Sequence, residues 1–177
     1  ETRDWNWFKF HQQITLLHCM TGQGDQAVAR WREWYRQEPE NVQACLSVIW
    51  ALYHASRAEE ALPYLDQAEQ LAPEDPAVLY ARGEVLGGEH GLGRDREAIS
   101  CWDRALALEA DFADARFSKA WAFEQMGEHQ AAIQTYRELC DWLRQSGYDA
   151  GVETRFPEQK ILELTKKLDH GPAKKTD

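Results

Sequence analysis

Four glycines crowd the stretch LGGEHGLGRD, between Leu86 and Asp95, where they could hold a phosphate group. In a phosphate-binding loop the glycines follow a strand in a strict order and let backbone N–H groups converge on the anion at a helix start. This stretch lacks the Gly-Lys-Ser/Thr ending, and the residues before it, PAVLYARGEVL, have helical character. The glycines therefore predict a turn rather than a nucleotide site, and a secondary role as a contact loop stays open.

Cysteine and histidine side chains are the next candidates, because both residue types ligate metals. The cysteines are scattered along the chain without a C-x-x-C pair, at Cys19, Cys45, Cys101 and Cys140. This scatter indicates small buried side chains in a reducing compartment. A disulfide stays an alternative, because a helical repeat can bring cysteines that are distant in sequence together. His11 and His18 stand seven residues apart on a predicted helix and are either metal ligands or partly exposed histidines. We predict no metal and no cofactor.

Carboxylates and hydroxyls give no sign of a catalytic centre. The sequence contains no nucleophile elbow, no H-E-x-x-H pair and no phosphate loop. The carboxylate pairs Glu59-Glu60 and Glu74-Asp75 stand at predicted helix starts, where they oppose the positive end of the helix dipole. We therefore predict that the chain is not an enzyme.

Length and charge narrow the class of partner. The 177 residues are 44% hydrophobic, which is enough for a core, and the net charge of −10 disfavours nucleic acid and anionic membranes as partners.

The sequence has neither an apolar run of the roughly 20 residues that span a bilayer nor a signal-peptide pattern. These features predict a cytoplasmic protein. A start at Glu1 without methionine leaves a removed leader, or a longer parent chain, open.

A repeat of 34 to 37 residues runs through the chain. Its most regular members are alanines, and a bulky residue follows each alanine four positions later, as Trp31, Leu65, Trp102 and Tyr136. A glycine or serine precedes each alanine by five positions, at Gly22, Ser56, Gly93 and Gly127. Apolar residues between these points recur at helical spacing, so each unit is predicted to be two helices joined by a turn.

This pattern resembles the tetratricopeptide repeat over residues 8 to 145. The family's small residues, turn glycine, aromatic residue and closing proline have counterparts here, for example Ala98, Gly93, Trp102 and Pro73. The third unit also resembles the longer Sel-like subtype, since three extra residues fall between Leu86 and Gly93. Departures from the family pattern are Trp34 and Leu139 at the second alanine and Ala110 at a closing proline.

The resemblance implies an all-α fold, a right-handed α-solenoid of helix-turn-helix repeats with a C-terminal capping helix. We predict a single domain over residues 1–168, with repeats at about 8–41, 42–75, 76–112 and 113–145. An amphipathic helix over about 157–168, with Pro157 at its start, is predicted to cap the stack. Residues 169–177 are predicted to be a disordered tail.

The first helix of each repeat is expected to line a concave groove. By helical period, the groove residues form an aromatic set with acidic members: Gln43, Leu46, Trp50, Tyr53, Tyr80, Glu84, Asp114, Phe117, Trp121 and Glu124. Aromatic rings give large contact area and carboxylates select cationic groups, so the set predicts a partner segment with apolar and basic residues. The alternative is that these aromatics are buried between helices. A chaperone carboxylate clamp is disfavoured, because the matching positions hold no basic residue or asparagine: Gln12, Leu16, Ser47, Ala77 and Ala81.

The function predicted from these features is a non-catalytic scaffold or adaptor for a partner protein. Two alternatives stay open: a structural module that self-associates, and an accessory domain of a larger enzyme or transporter. An N-terminal aromatic group supplies the surface for self-association, and its members are Trp5, Trp7, Phe8 and Phe10. The same group also fits a hydrophobic cap on the end of the stack.

Overall fold

The chain is helical in every regular element that the computed structural model describes, which covers residues 15, 17–18, 21–146 and 154–170. These ranges contain no β-strand, and the all-α prediction is confirmed. The helices are α1 (Gly24–Gln37), α2 (Val42–His54), α3 (Ala58–Leu71), α4 (Pro76–Gly87), α5 (Asp95–Leu108), α6 (Ala113–Gln125), α7 (His129–Gln145) and α8 (Arg155–His170). The N-terminal aromatic group and His11 lie outside the described residues, so the surface and the ligand pair predicted there stay predictions.

The helices fall into two compact units, Glu1–Glu109 and Ala110–Asp177, which we call unit 1 and unit 2. In unit 1 the consecutive helix pairs α1–α2, α2–α3, α3–α4 and α4–α5 pack together, and α2 also contacts α4. In unit 2, α7 packs against both α6 and α8. The single domain predicted over residues 1–168 stays a prediction.

The turns between paired helices are built on residues with positive φ. Gly22, Ser56, Gly93 and Gly127 have φ values of 77°, 57°, 70° and 74°. After α2, the N–H of Arg57 donates to the carbonyl of Leu52 at 2.8 Å, the bond that closes a helix in a Schellman motif. In the third repeat the corresponding bond joins Arg94 to the carbonyl of Leu86 and spans three more residues. The glycine-rich stretch is therefore a lengthened turn between α4 and α5.

Small residues let the paired helices approach closely. Ala61, Ala98 and Ala132 are fully buried, and Gly83 of α4 lies directly against Trp102 of α5. A β-carbon at Gly83 would stand 2.2 Å from Nε1 of Trp102, so only glycine fits this contact. The alternation of small and large residues that marks the repeat in the sequence is thus a packing requirement.

Helix α8 begins and ends two residues beyond its predicted bounds. The N–H of Glu158 donates to the carbonyl of Thr154 at 2.9 Å, which sets the helix start ahead of Pro157. Pro157 is tolerated there because the first N–H groups of a helix have no partner within it. Asp169 and His170 belong to this helix rather than to a disordered tail, and residues 171–177 lie outside the described residues. None of the described helices combines the length and apolar character needed to cross a bilayer.

Candidate protein-interaction surfaces

In unit 1, aromatic side chains of α2 and α4 meet the lengthened turn. Trp50 lies 5.6 Å from the ring of Tyr80 and stacks on His54 at 6.0 Å. Tyr53 contacts the ring of His90, a residue of the turn, at 5.5 Å between centroids. We call Trp50, Tyr53, His54, Tyr80, Glu84 and His90 the unit 1 cluster.

Polar atoms tie this cluster together. The hydroxyl of Tyr53 donates to Oε2 of Glu84 at 3.2 Å and accepts from the backbone N–H of His90 at 3.5 Å. Burial is the main cause that raises the pKa of the Tyr53 phenol, and the Glu84 charge adds to it. Burial, with a smaller contribution from His90, lowers the pKa of His54 to about 4. Because the raised pKa keeps the Tyr53 phenol protonated at neutral pH, its hydrogen bond to Glu84 holds α2 against α4 there.

The predicted groove residues of unit 1 are more buried than a contact surface requires. Leu46 is inaccessible, and Trp50 keeps only 5% of its surface exposed. Tyr53 and Glu84 are also buried, while Gln43 and Tyr80 are half-buried. Within this cluster the described surface that a partner could touch is therefore mainly that of Tyr80, His54 and His90.

Unit 2 places its aromatic residues closer to solvent. Phe117 of α6 is 36% exposed, and its ring lies 5.7 Å from that of Phe156, which is 50% exposed at the start of α8. Trp121 is half-buried one turn further along α6, and Asp114 is exposed one turn earlier. We call Asp114, Phe117, Trp121 and Phe156 the unit 2 patch.

An ion pair fixes α8 beside this patch. Nζ of Lys160 donates to Oε1 of Glu124 at 2.9 Å and lies 5.7 Å from the centre of the Phe156 ring. The hydroxyl of Tyr136 donates to the other oxygen of Glu124 at 3.2 Å. Burial and the Glu124 charge raise the pKa of the Tyr136 phenol, so this hydrogen bond persists at neutral pH. Glu124, a predicted groove residue, thus joins α6, α7 and α8 rather than facing solvent alone.

Sequence reasoning missed three contributors to these surfaces. The helix start predicted at Pro157 assigned Phe156 to the preceding loop. It assigned Lys160 to the capping helix, with no role in a binding surface. His90 belongs to the glycine-rich turn, whose path over Tyr53 follows from tertiary packing and leaves no periodic signal. Continuing the helical period backwards from Leu164 would have placed Phe156 and Lys160 on one side of α8.

Metal and thiol chemistry find no support in the described part of the chain. No three His, Cys, Asp or Glu side chains among residues 15, 17–18, 21–146 and 154–170 are grouped to hold a metal ion. Cys45, Cys101 and Cys140 are free and buried, and burial raises the pKa of the Cys45 thiol to about 11. A thiol protonated at neutral pH is a poor nucleophile. Cys19 lies outside the described residues.

Comparison with known proteins identifies the repeat. The family model for the tetratricopeptide repeat matches residues 21–76 and 91–150, which is more than half of the chain. The chain belongs to the tetratricopeptide repeat family. The Sel-like subtype of the third repeat stays a prediction. No curated protein matches this tetratricopeptide repeat chain in sequence.

Several solved structures share the fold. TTC0263, a thermophilic TPR protein of Thermus thermophilus, is 21% identical with a TM-score of 0.68, over 86% of this chain and 80% of that one. MamA is 21% identical with a TM-score of 0.57, over 87% of this chain and 95% of that one. PilW, a widely conserved type IV pilus biogenesis factor, is 16% identical with a TM-score of 0.61, over 90% of this chain and 78% of that one. At these identities the likeness concerns the tetratricopeptide repeat fold alone.

Proposed function

We propose that this tetratricopeptide repeat chain is a non-catalytic scaffold that binds a segment of a partner protein. The binding surfaces are lined by the first helices of the repeats and, in unit 2, also by α8. The observation that carries the proposal is the exposed ring pair of Phe117 and Phe156 in unit 2. Two phenylalanines from different helices keep a third to a half of their surface in contact with water, which costs free energy until a partner covers them.

The surrounding charges suggest the chemistry of the partner. Asp114 is exposed one turn from Phe117, and its carboxylate attracts a lysine or arginine of a bound segment. Lys160 is already paired with Glu124, so it adds little positive charge to the patch. A segment with an aromatic or aliphatic anchor, followed by a basic residue, fits this arrangement. The half-exposed Tyr80 and His54 of unit 1 offer a second, smaller contact.

A displayed library of random peptides, selected on the purified full chain, tests the proposal even while the partner is unidentified. We expect the enriched peptides to share an apolar anchor and a Lys or Arg. Phe156→Ala should weaken the best peptide by about tenfold, since truncating a central aromatic costs roughly 1–2 kcal/mol. Asp114→Asn should weaken only peptides that carry the basic residue.

Leu108→Ala supplies the matched control, because Leu108 is 49% exposed on α5 and lies outside both surfaces. It should leave peptide binding unchanged. If no motif is enriched, or if the enriched peptides bind Phe156→Ala and Asp114→Asn as well as the wild type, the proposal is wrong. Circular dichroism of each variant checks that helicity is retained.

A further inference from the structure

The solvent-exposed side of α8 carries a regular pattern of charge. Pro157 and Leu164 are buried on the inner side of the helix, and Leu164 joins the core of unit 2. On the opposite side, five side chains spaced three or four residues apart share one helix face, and all five are exposed. We call this set the outer face of α8, and it consists of Arg155, Glu158, Leu162, Lys166 and Asp169.

Leu162 is the centre of this pattern and is 55% exposed. Glu158 and Lys166 stand four residues on either side of it, and Arg155 and Asp169 stand seven residues on either side. Residues separated by four and seven positions share one helix face. The sign of the charge is opposite at each pair of mirrored positions, so the face is complementary to itself in the antiparallel direction.

We propose that α8 pairs antiparallel with α8 of a second copy of this chain, with Leu162 of each copy at the two-fold axis. In that arrangement Glu158 of each copy faces Lys166 of the other, and Arg155 faces Asp169. A parallel pairing would place like charges opposite each other. An interface of this kind is isologous, because the same patch serves both partners.

The charge balance favours a second copy over other occupants. The chain carries a net charge of −10, which opposes self-association in general, but the outer face of α8 holds two positive and two negative residues and is locally neutral. Glu158 also accepts a hydrogen bond from Arg144 of its own chain at 2.6 Å, and both side chains are about half exposed. That exposed pair leaves the second oxygen of Glu158 available to Lys166 of the second copy.

The size of the face sets the strength of the contact. Helix α8 has 16 residues and is therefore about 24 Å long, with one leucine at the centre of its outer face. A pair of such helices buries less than the roughly 1,200 Å² of stable complexes, so we expect a reversible dimer that forms at high concentration. This dimer does not depend on the proposed peptide binding. It would, however, present two copies of the unit 2 patch and raise avidity for a repeated partner.

Sedimentation velocity of the full chain, from low micromolar to near millimolar concentration, measures the association. Lys166→Glu and Glu158→Lys should each weaken the homodimer at least tenfold, because like charges then face each other twice. An equimolar mixture of the two variants should dimerise about as well as the wild type, since both mixed pairs are again opposite in charge. Only a direct antiparallel contact between these positions gives this recovery.

Leucine substitutions give an independent readout. Leu162→Lys should abolish the dimer, whereas Leu108→Lys, at a leucine exposed to a similar extent on α5, should leave it intact. A wild-type chain that stays monomeric near millimolar concentration overturns the proposal. So does a dimer that survives Leu162→Lys, or a mixture that fails to recover while both variants are folded by circular dichroism. Survival would instead point to the N-terminal aromatic group as the contact.

Discussion

Ser56 is the residue at which the repeat departs from glycine in its turn. Its φ of 57° lies in the left-handed region, where a β-carbon clashes with the backbone, while the other three turns use glycine. Replacement by glycine removes that strain and increases the entropy of the unfolded chain, two effects of opposite sign. We predict that Ser56→Gly raises the free energy of unfolding by about 0.5–1 kcal/mol, as measured by urea denaturation.

Gly127→Ser is the reverse experiment at the equivalent turn. Beyond its two chain neighbours, a β-carbon at Gly127 would meet no atom within 4 Å, so any cost comes from the backbone angle alone. We expect a loss of similar size in urea denaturation. If the two substitutions shift stability in the same direction, backbone strain is not what distinguishes serine from glycine in these turns.

His54 couples the unit 1 cluster to pH. Burial and the nearby His90 lower its folded-state pKa to about 4, while an unfolded histidine titrates near 6.5. The unfolded chain therefore binds more protons between these values, so stability is full above about pH 6.5 and falls as the pH drops towards 4. We predict that His54→Phe, which keeps a ring on Trp50, reduces this loss by about 1–3 kcal/mol.

The measurement is urea denaturation of both proteins at pH 7 and near pH 4.5. Carboxylates titrate in the same range in both proteins, so the difference between their pH profiles isolates His54. Parallel profiles would show that the imidazole is already protonated, or well hydrated, in the folded chain.

At the scale of the helices, much of the fold is contained in the repeat period. The helix pairs α2–α3 and α4–α5 were predicted because the alanines, bulky residues and left-handed turns recur at fixed spacing, and each spacing has a local physical cause. The lengthened turn was predicted from the 37-residue interval that ends at Ala98. These features depend on residues close in sequence.

The sequence predicted the surfaces less well, because burial depends on neighbours distant in sequence. Trp50 and Tyr53 have the spacing of groove residues, but Tyr80 of α4 and His90 of the turn cover them. Phe117 has the same spacing and stays 36% exposed, although the rings of Tyr136 and Phe156 lie 6.2 Å and 5.7 Å from its own. Helical period assigns a side of the helix and carries no information on what packs against it.

The contact between α4 and α5 offers a test of how tightly helices pair within a repeat. Gly83→Ala would place a methyl group against the indole of the fully buried Trp102. We predict a loss of about 1–3 kcal/mol in the free energy of unfolding, the usual cost of overpacking a core. In a Trp102→Phe background, where the indole Nε1 is absent, the same substitution should cost less.

A double-mutant cycle of these four proteins, followed by urea denaturation, gives the coupling energy directly. Additive losses at Gly83 and Trp102 would contradict the close contact. A gain in stability from Gly83→Ala would contradict it as well, because that is the effect of helix propensity alone.

At the scale of the whole molecule, charge governs how a partner approaches. The net charge of −10 produces a negative field over the surface, which accelerates association with a basic segment and is screened by salt. We predict that a basic peptide selected on this chain binds several-fold more weakly at about 0.5 M NaCl than at about 0.05 M, mostly through a slower association rate. Surface plasmon resonance separates the association and dissociation rate constants.

The same peptide with glutamine at its basic positions should bind with little salt dependence, because only the apolar contact with Phe117 and Phe156 then remains. If salt leaves the basic peptide unaffected, or strengthens it, the acidic surface has no part in recognition and the rings alone select the partner.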